Sequence, residues 1–166
     1  MKTRTLMIGV LLITALSFLS FRFFDEPPKV PSITGTYKFL SRTLPDGTVL
    51  KPPMVDGIQT FTKDARNFNI MWSDKNGKHF SFSVYSTYKF TDKDYTESII
   101  FGIMNDEISG KGITYITNQT KTVPITFDGK KLDFKFPFDP PSVTFEGNKM
   151  TATAEGQFTD YWEKVK

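Results

Sequence analysis

Apolar and polar residues alternate along nearly the whole chain after residue 33, and this feature constrains the fold most. In the segment 78–90, apolar side chains recur at almost every second position: Phe80, Phe82, Val84, Tyr88 and Phe90. Alternation with a period of two is typical of a β-strand that buries one face and exposes the other. The segments 66–73 and 131–136 repeat the pattern, and no helical period follows Ser32. We therefore predict an all-β domain.

Turn-forming residues separate the alternating segments: Pro45-Asp46-Gly47, Asp74-Lys75-Asn76-Gly77, Asp128-Gly129 and Gly147-Asn148. Short connections of this kind join neighbouring antiparallel strands. We predict nine or ten strands from eleven patterned segments, of which 48–51 is the least regular: 34–43, 48–51, 57–63, 66–73, 78–90, 94–104, 111–119, 122–127, 131–136, 142–147 and 150–162.

A single antiparallel sheet of so many strands curls and closes on itself. A β-sandwich with Greek-key crossovers has a similar number of strands and is the alternative. The regular spacing of the turns and the length of the strand over 78–90 favour a barrel, because long coiled strands are typical of small barrels. We predict an antiparallel up-and-down β-barrel for residues 34–166.

The first 24 residues form a separate unit, because two basic residues precede an apolar run over residues 6–24. Lys2 and Arg4 followed by such a run are typical of a secretory signal peptide, with cleavage after Ser17. An uncleaved membrane anchor through residues 6–24 and a buried N-terminal helix are the alternatives. Residues 25–33 follow as a Pro-rich linker. We expect an exported protein that is periplasmic, secreted or anchored to the membrane.

The composition excludes several classes of site. The chain has no Cys and one His, which excludes disulfides, thiolate metal sites, a Cys nucleophile and a lipid-modified Cys. The formal net charge of +3 falls to +1 without Lys2 and Arg4, and no basic stripe is interleaved with aromatic residues. We therefore expect no nucleic-acid partner.

His79 follows a turn on the polar side of its strand, so we predict a surface position for it. We expect no metal, no cofactor and no catalytic residue.

Five short motifs follow one another along the chain: Gly35-Thr36-Tyr37-Lys38-Phe39, Leu44-Pro45-Asp46-Gly47, Arg66-Asn67-Phe68-Asn69-Ile70-Met71-Trp72, Tyr95-Thr96-Glu97 and Tyr161-Trp162-Glu163-Lys164-Val165. Their order over residues 34–165 resembles the small exported lipocalin-like proteins of Bacteroidetes-type bacteria. The first motif resembles the Gly-x-Trp start of lipocalins, with Tyr37 in the place of Trp and Lys164 in the place of an Arg that often packs near it. The resemblance implies a lipocalin-like barrel that binds small apolar or amphipathic molecules, and many members have no assigned activity.

Arg66 and Glu97 are the candidate polar pair of the interior. Glu97 shares a face with Tyr95, Ile99, Phe101 and Ile103, and Arg66 shares the phase of Phe68, Ile70 and Trp72. A carboxylate inside an apolar barrel needs a partner or a proton. The pair could bind the polar head group of a ligand. A structural ion pair, or two residues at the solvated mouth of the barrel, is the alternative.

Aromatic residues form the second candidate feature, because most of them share the inward phase. Trp72, Tyr88, Tyr95 and Tyr115 are predicted to face the interior and to contact a ligand together with Arg66 and Glu97. The rings could line an apolar cavity or fill the barrel completely. Two Pro-rich loops, 44–56 and 137–142, could form a lid or a partner surface at the rim, or could end the strands and protect their edges.

The sequence favours a non-catalytic protein that binds a small apolar or amphipathic ligand, and we expect it to be a monomer. The first alternative is a structural or protein-interaction module of the cell envelope with a filled barrel. The second alternative is a barrel enzyme that acts on an apolar substrate through Glu97, which would require a buried carboxylate with a raised pKa.

Overall fold

The computed structural model describes residues 29–166, which form β-strands joined by turns and loops. Twelve strands follow one another along the chain: β1 (Gly35–Thr43), β2 (Val49–Leu50), β3 (Val55–Phe61), β4 (Ala65–Ser73), β5 (His79–Phe90), β6 (Asp94–Asp106), β7 (Gly112–Ile116), β8 (Gln119–Phe127), β9 (Lys131–Lys135), β10 (Ser142–Glu146), β11 (Lys149–Ala154) and β12 (Phe158–Lys164). Within these residues, no helix has the length and apolar character needed to cross a membrane. The predicted signal peptide or anchor over residues 1–24 lies outside the described residues.

Ten of the strands form one closed antiparallel barrel. Each barrel strand pairs with the next barrel strand along the chain, and β1 closes the ring by pairing with β12. The two remaining strands lie beside this ring, since β2 pairs with the end of β1 and β7 pairs with the second half of β6. The prediction of an all-β antiparallel barrel is therefore confirmed for the described residues, and the Greek-key sandwich is excluded.

A β-bulge in β6 changes which of its residues face the interior. Ile100 is an extra residue in the pairing of β5 with β6. A bulge of this kind turns the side chains that follow it to the opposite face of the strand. Phe101 is 47% exposed as a result. The prediction that Phe101 and Ile103 share the inward face of Glu97 is wrong, because the bulge lies between them.

The last predicted strand, 150–162, is two strands in the structure. Gly156 adopts a φ of +69° between β11 and β12, and the amide of Gln157 donates a hydrogen bond of 2.9 Å to the carbonyl of Ala154. Glycine reaches this left-handed region without a steric penalty, so it allows a tight turn there. The two strands then pair with each other as a hairpin. The predicted segment 111–119 covers β7 and the first residue of β8, and each of the remaining segments overlaps one observed strand.

The wall of the barrel is short between β8 and β10. β8 and β9 pair through only three residue pairs, from Ile125–Phe134 to Phe127–Leu132. The chain then leaves β9 and forms the loop 136–141 before β10 begins. Phe136 and Asp139 of this loop are buried, with 3% and 8% exposure. The loop therefore enters the interior, which brings a charged side chain into the candidate site.

Candidate functional site

A cavity of about 670 Å³ lies at the end of the barrel where β1 ends. Its walls are mainly apolar, and three neighbouring strands provide many of the side chains: Phe68, Ile70, Trp72, Phe80, Phe82 and Met104. The volume falls within the range of about 300–1,000 Å³ that is usual for small-molecule sites. This end of the barrel is thus a cavity, whereas the opposite end is filled by aromatic rings.

Arg66 forms the polar base of the cavity with three partners. Its Nε donates to Gln59 Oε1 at 3.2 Å, its Nη1 to Glu97 Oε1 at 3.1 Å, and its Nη2 to Asp139 Oδ2 at 2.6 Å. Arg66 is the second residue of β4 and has the same inward phase as Phe68, so the strand alternation directs the guanidinium into the barrel. The pairing of Arg66 with Glu97 is therefore confirmed. Both residues are 1% exposed, which excludes a position at the solvated mouth.

Further contacts hold this cluster in place. Ser86 on β5 donates its hydroxyl to Glu97 Oε1 at 2.6 Å. The guanidinium of Arg66 lies 3.9 Å from the centre of the Phe136 ring, which belongs to the inserted loop. A planar guanidinium stacks well on an aromatic face while its edge donates hydrogen bonds. The loop therefore contacts Arg66 twice, through Asp139 on its edge and through Phe136 on its face.

One cation and two carboxylates share this buried cluster. Burial alone would lower the pKa of Arg66, but the carboxylates of Asp139 and Glu97 outweigh it and raise that pKa. Burial raises the pKa of Asp139, Glu97 raises it further, and Arg66 opposes the change. Asp139 Oδ1 is buried and has no hydrogen-bond partner among the described residues. Asp139 is thus the least satisfied member of the cluster.

A second ion pair lies near the mouth of the cavity. Arg42 donates from Nε and Nη2 to the two carboxylate oxygens of Asp160, at 2.7 and 2.8 Å. Its guanidinium is 4.4 Å from the Trp72 ring centre and 3.8 Å from that of Phe158. Burial raises the pKa of Asp160, although its bonds to Arg42 oppose the shift. This pair balances its own charge, in contrast to the cluster at the base.

The pattern of the sequence did not indicate Arg42, because a second bulge changes its phase. The register of β1 against β12 shifts between Phe39 and Ser41, so Leu40 is an extra residue and Arg42 turns inward. Strict alternation from Tyr37 would have placed Ser41 inside instead. The sequence does contain a signal for Asp160. It lies two residues before Trp162 on β12, so alternation places both side chains on the inward face.

Trp162 packs at the side of the cavity because its neighbour on β3 is a glycine. A Cβ on Gly57 would lie 2.8 Å from Trp162 Cη2, which is too close for two carbon atoms. The indole ring also meets the rings of Phe39 and Phe68 at centre distances of 5.1 and 6.0 Å. The indole N–H is buried with no hydrogen-bond partner among the described residues. It can donate to an acceptor on a bound molecule.

The remaining predicted site residues fall into three places. Trp72 lines the cavity, stacked on Phe80 at a ring-centre distance of 3.9 Å. Tyr88 and Tyr95 are buried in the aromatic cluster at the filled end, and neither lines the cavity. Tyr115 is 66% exposed. The prediction that it faces the interior is wrong, because its partner Ile103 follows the bulge and both residues point outward.

The other candidates from the sequence lie away from the cavity or at its rim. His79 is exposed, and its Nδ1 lies 2.8 Å from the Ser73 hydroxyl. Within residues 29–166, no group of three His, Asp or Glu side chains is arranged to hold a metal ion. The loop 137–142 was predicted at the rim, and its Asp139 instead reaches the base of the cavity. From loop 44–56, only Leu44 lines the cavity.

Comparisons with models of protein families, with curated proteins and with solved structures give no match to this chain. The functional proposal therefore rests on the cavity, its apolar walls and the charged groups at its base.

Proposed function

We propose that this protein binds a small amphipathic molecule in the barrel cavity and releases it unchanged. The observation that carries the proposal is an apolar cavity of about 670 Å³ with a buried polar cluster at its base. Ligand sites usually combine apolar walls with a few fixed polar groups that orient the ligand. Here the rings of β4 and β5 would contact the apolar part, and the cluster around Arg66 would orient the polar part.

We also infer a lipocalin-like type of barrel and export from the cell. The barrel type is supported by three residues of the resembling motifs, which meet in space at the filled end. Lys164 pairs with Tyr37 across β1 and β12, and its Nζ is 6.0 Å from the tyrosine ring centre. The Lys164 side chain crosses Gly35 so closely that an added Cβ would overlap it. Export is supported by the basic and apolar pattern of residues 1–24.

Two observations favour binding over the alternatives. A filled barrel would leave no room for a ligand, whereas this barrel is filled at one end only. Glu97, the candidate catalytic carboxylate, lies behind Arg66 and does not line the cavity. A molecule in the cavity would therefore meet Arg66 and Asp139 before it could reach Glu97.

The test is native mass spectrometry of the protein purified from the cells that produce it. A reproducible additional mass that is lost on denaturation would support the proposal and would identify the ligand. In parallel, the neutral dye N-phenylnaphthylamine, which fluoresces in apolar surroundings, reports binding in the cavity. A bare protein mass together with no dye binding would refute the proposal.

The Trp72→Ala variant locates the binding site. Trp72 forms part of the cavity wall, so we expect its removal to weaken dye binding by about tenfold, or about 1.4 kcal/mol. Lys89→Ala is the control, because Lys89 is exposed on the outer face of β5 and lies far from the cavity wall. Equal effects of the two substitutions would contradict binding inside the barrel.

A further inference from the structure

The charges at the base of the cavity do not balance among the described residues. Arg66 carries one positive charge, and Glu97 and Asp139 each carry a negative charge when ionised. All three side chains are almost inaccessible to solvent. An unpaired charge in such surroundings is strongly unfavourable. A positive group placed in the cavity would restore the balance.

Asp139 is the carboxylate that has acceptor capacity left. Its Oδ2 accepts from Arg66, whereas its buried Oδ1 has no donor in the part of the chain that the structure describes. Glu97 accepts from Arg66 with both oxygens and from Ser86 as well. Asp139 also lines the cavity, and Glu97 does not. A ligand therefore meets the unsatisfied carboxylate first.

Apart from the base, the charged side chains of the described residues that line the cavity are two of each sign: Arg42, Lys111, Asp106 and Asp160. Near the mouth, Arg42 and Asp160 form a one-to-one pair with two hydrogen bonds. The space between base and mouth is bordered by aromatic rings: Phe68, Trp72, Phe80, Phe82, Phe136 and Trp162. Ring faces attract cations, and Phe136 already stacks on the guanidinium of Arg66. The aromatic walls and the negatively charged base therefore both favour a positively charged ligand.

We propose that the ligand is a cationic amphiphile, with a hydrogen-bond-donating group such as a primary ammonium that binds Asp139 at the base of the cavity. This inference rests on the proposed binding function and names the chemical class of its ligand. The ammonium group donates to the carboxylate of Asp139, and the apolar body lies between the aromatic walls. A carboxylate ligand is disfavoured, because it would place a third negative charge beside the single guanidinium of Arg66.

Three amphiphiles with the same apolar chain test this inference: decylammonium, decanol and decanoate. Each is titrated at pH 7 against the full-length protein loaded with N-phenylnaphthylamine, and displacement of the dye gives its affinity. We expect decylammonium to bind at least about tenfold more tightly than decanol, which corresponds to one charge-assisted hydrogen bond. We expect decanoate to bind more weakly than decanol.

Asp139→Asn removes the unsatisfied charge and preserves the shape of the side chain. We expect the affinities of this variant for decylammonium and decanol to lie within about threefold of each other, because the charges at the base of its cavity balance. Asp133→Asn makes the same change in total charge on β9, outside the cavity, and should retain the preference for decylammonium. Glu97→Gln also removes one buried negative charge without changing the loop, so it tests the charge balance if Asp139→Asn does not fold.

The outcomes separate this inference from the function on which it rests. If neither the dye nor any amphiphile binds, the proposed function is wrong. If decanoate or decanol binds as tightly as decylammonium, the protein is a ligand carrier but the inferred cationic ligand is wrong. If both Asp139→Asn and Asp133→Asn lose the preference, it comes from the total charge of the protein, and if Asp139→Asn retains it, the role of Asp139 is refuted.

Discussion

The two ends of the barrel are formed by the same alternating strands, yet their interiors differ. At the end where β1 begins, six rings pack on one another: Tyr37, Phe61, Tyr88, Tyr95, Phe134 and Phe145. The hydroxyls of Tyr37 and Tyr88 donate to the backbone carbonyls of Ile33 and Thr62, at 3.1 and 2.6 Å. Burial, with a smaller contribution from Tyr88, raises the pKa of Tyr37 to about 12, so the Tyr37 hydroxyl stays uncharged at neutral pH.

At the opposite end, the inward positions carry charged groups beside the rings. Arg42, Arg66, Asp139 and Asp160 all line the cavity. The same alternation therefore builds both ends of the barrel, and the ends differ in that buried ion pairs line the open end whereas rings fill the other.

The largest expected effect is the loss of a ring from the filled end. Phe61 is 1% exposed and meets the rings of Tyr37, Tyr88 and Phe145 at 5.7 to 6.0 Å. We expect Phe61→Ala to lower the free energy of unfolding by about 4 kcal/mol, because it leaves a hole that its neighbours cannot fill. Urea denaturation followed by circular dichroism measures this loss.

Phe80→Ala is the matched substitution at the open end. Phe80 is half-buried, and one side of its ring already faces the cavity. We expect a loss of about 1–2 kcal/mol, since fewer packing contacts are removed. Losses of equal size in the two variants would show that the ends are packed alike, contrary to the comparison.

The second prediction concerns the buried ionic cluster around Arg66, which lies between the filled end and the cavity. Arg66→Met leaves Glu97 and Asp139 buried without their cation, and we expect a loss of about 3 kcal/mol in the free energy of unfolding. Adding Glu97→Gln and Asp139→Asn to this variant removes the unpaired charges. We expect the triple variant to recover most of the lost stability, as measured by urea denaturation.

The control for Arg66 is a surface ion pair. Lys130→Met breaks the exposed contact of Lys130 with Glu146, and we expect no measurable change in stability. A triple variant as unstable as Arg66→Met alone would mean that Arg66 stabilises the barrel through packing on Phe136 rather than through charge.

The sequence predicts the barrel well because its strands follow the period of two, and it predicts the Arg66–Glu97 pair because both residues lie before any bulge in their strands. It fails where one extra residue changes the phase. Leu40 turns Arg42 inward, and Ile100 turns Phe101 outward. A bulge depends on the partner strand as well as on its own residues, so a single alternating pattern does not reveal it.

The alternating sequence pattern does not predict the position of Asp139, and the reason differs from that for the bulges. Its loop follows the last residue of β9, and no periodicity indicates whether a loop turns outward or enters the barrel. The loop begins just after the short pairing of β8 with β9 ends at Phe134, and the strand pattern does not show how long that pairing is. Only the assembled barrel brings Asp139 within 2.6 Å of Arg66.

The smallest expected effect is a pH dependence of stability that originates at the base of the cavity. Burial and the neighbouring Glu97 raise the pKa of Asp139 above its value in the unfolded chain, and Arg66 opposes them. The folded protein therefore binds this proton more tightly than the unfolded chain does. The stability gained from the protonated form is complete below the unfolded pKa and is lost as pH rises through the folded pKa.

Comparison of the native protein with Asp139→Asn isolates this effect. The stability of the native protein relative to the variant should fall as pH rises above about 4, with a slope of at most about 1.4 kcal/mol per pH unit for one proton.

The control is Asp46→Asn, for which the pH dependence of the stability difference should have the opposite sign, because hydrogen bonds from Thr48 lower the pKa of exposed Asp46. Urea denaturation between about pH 2 and about pH 8 measures both, since the Asp46 contribution is lost as pH falls below about 4 and the Asp139 contribution is lost as pH rises above about 4. A flat difference for Asp139→Asn would show that Arg66 fully offsets the effects of burial and of Glu97 on the pKa of Asp139, contrary to the predicted shift.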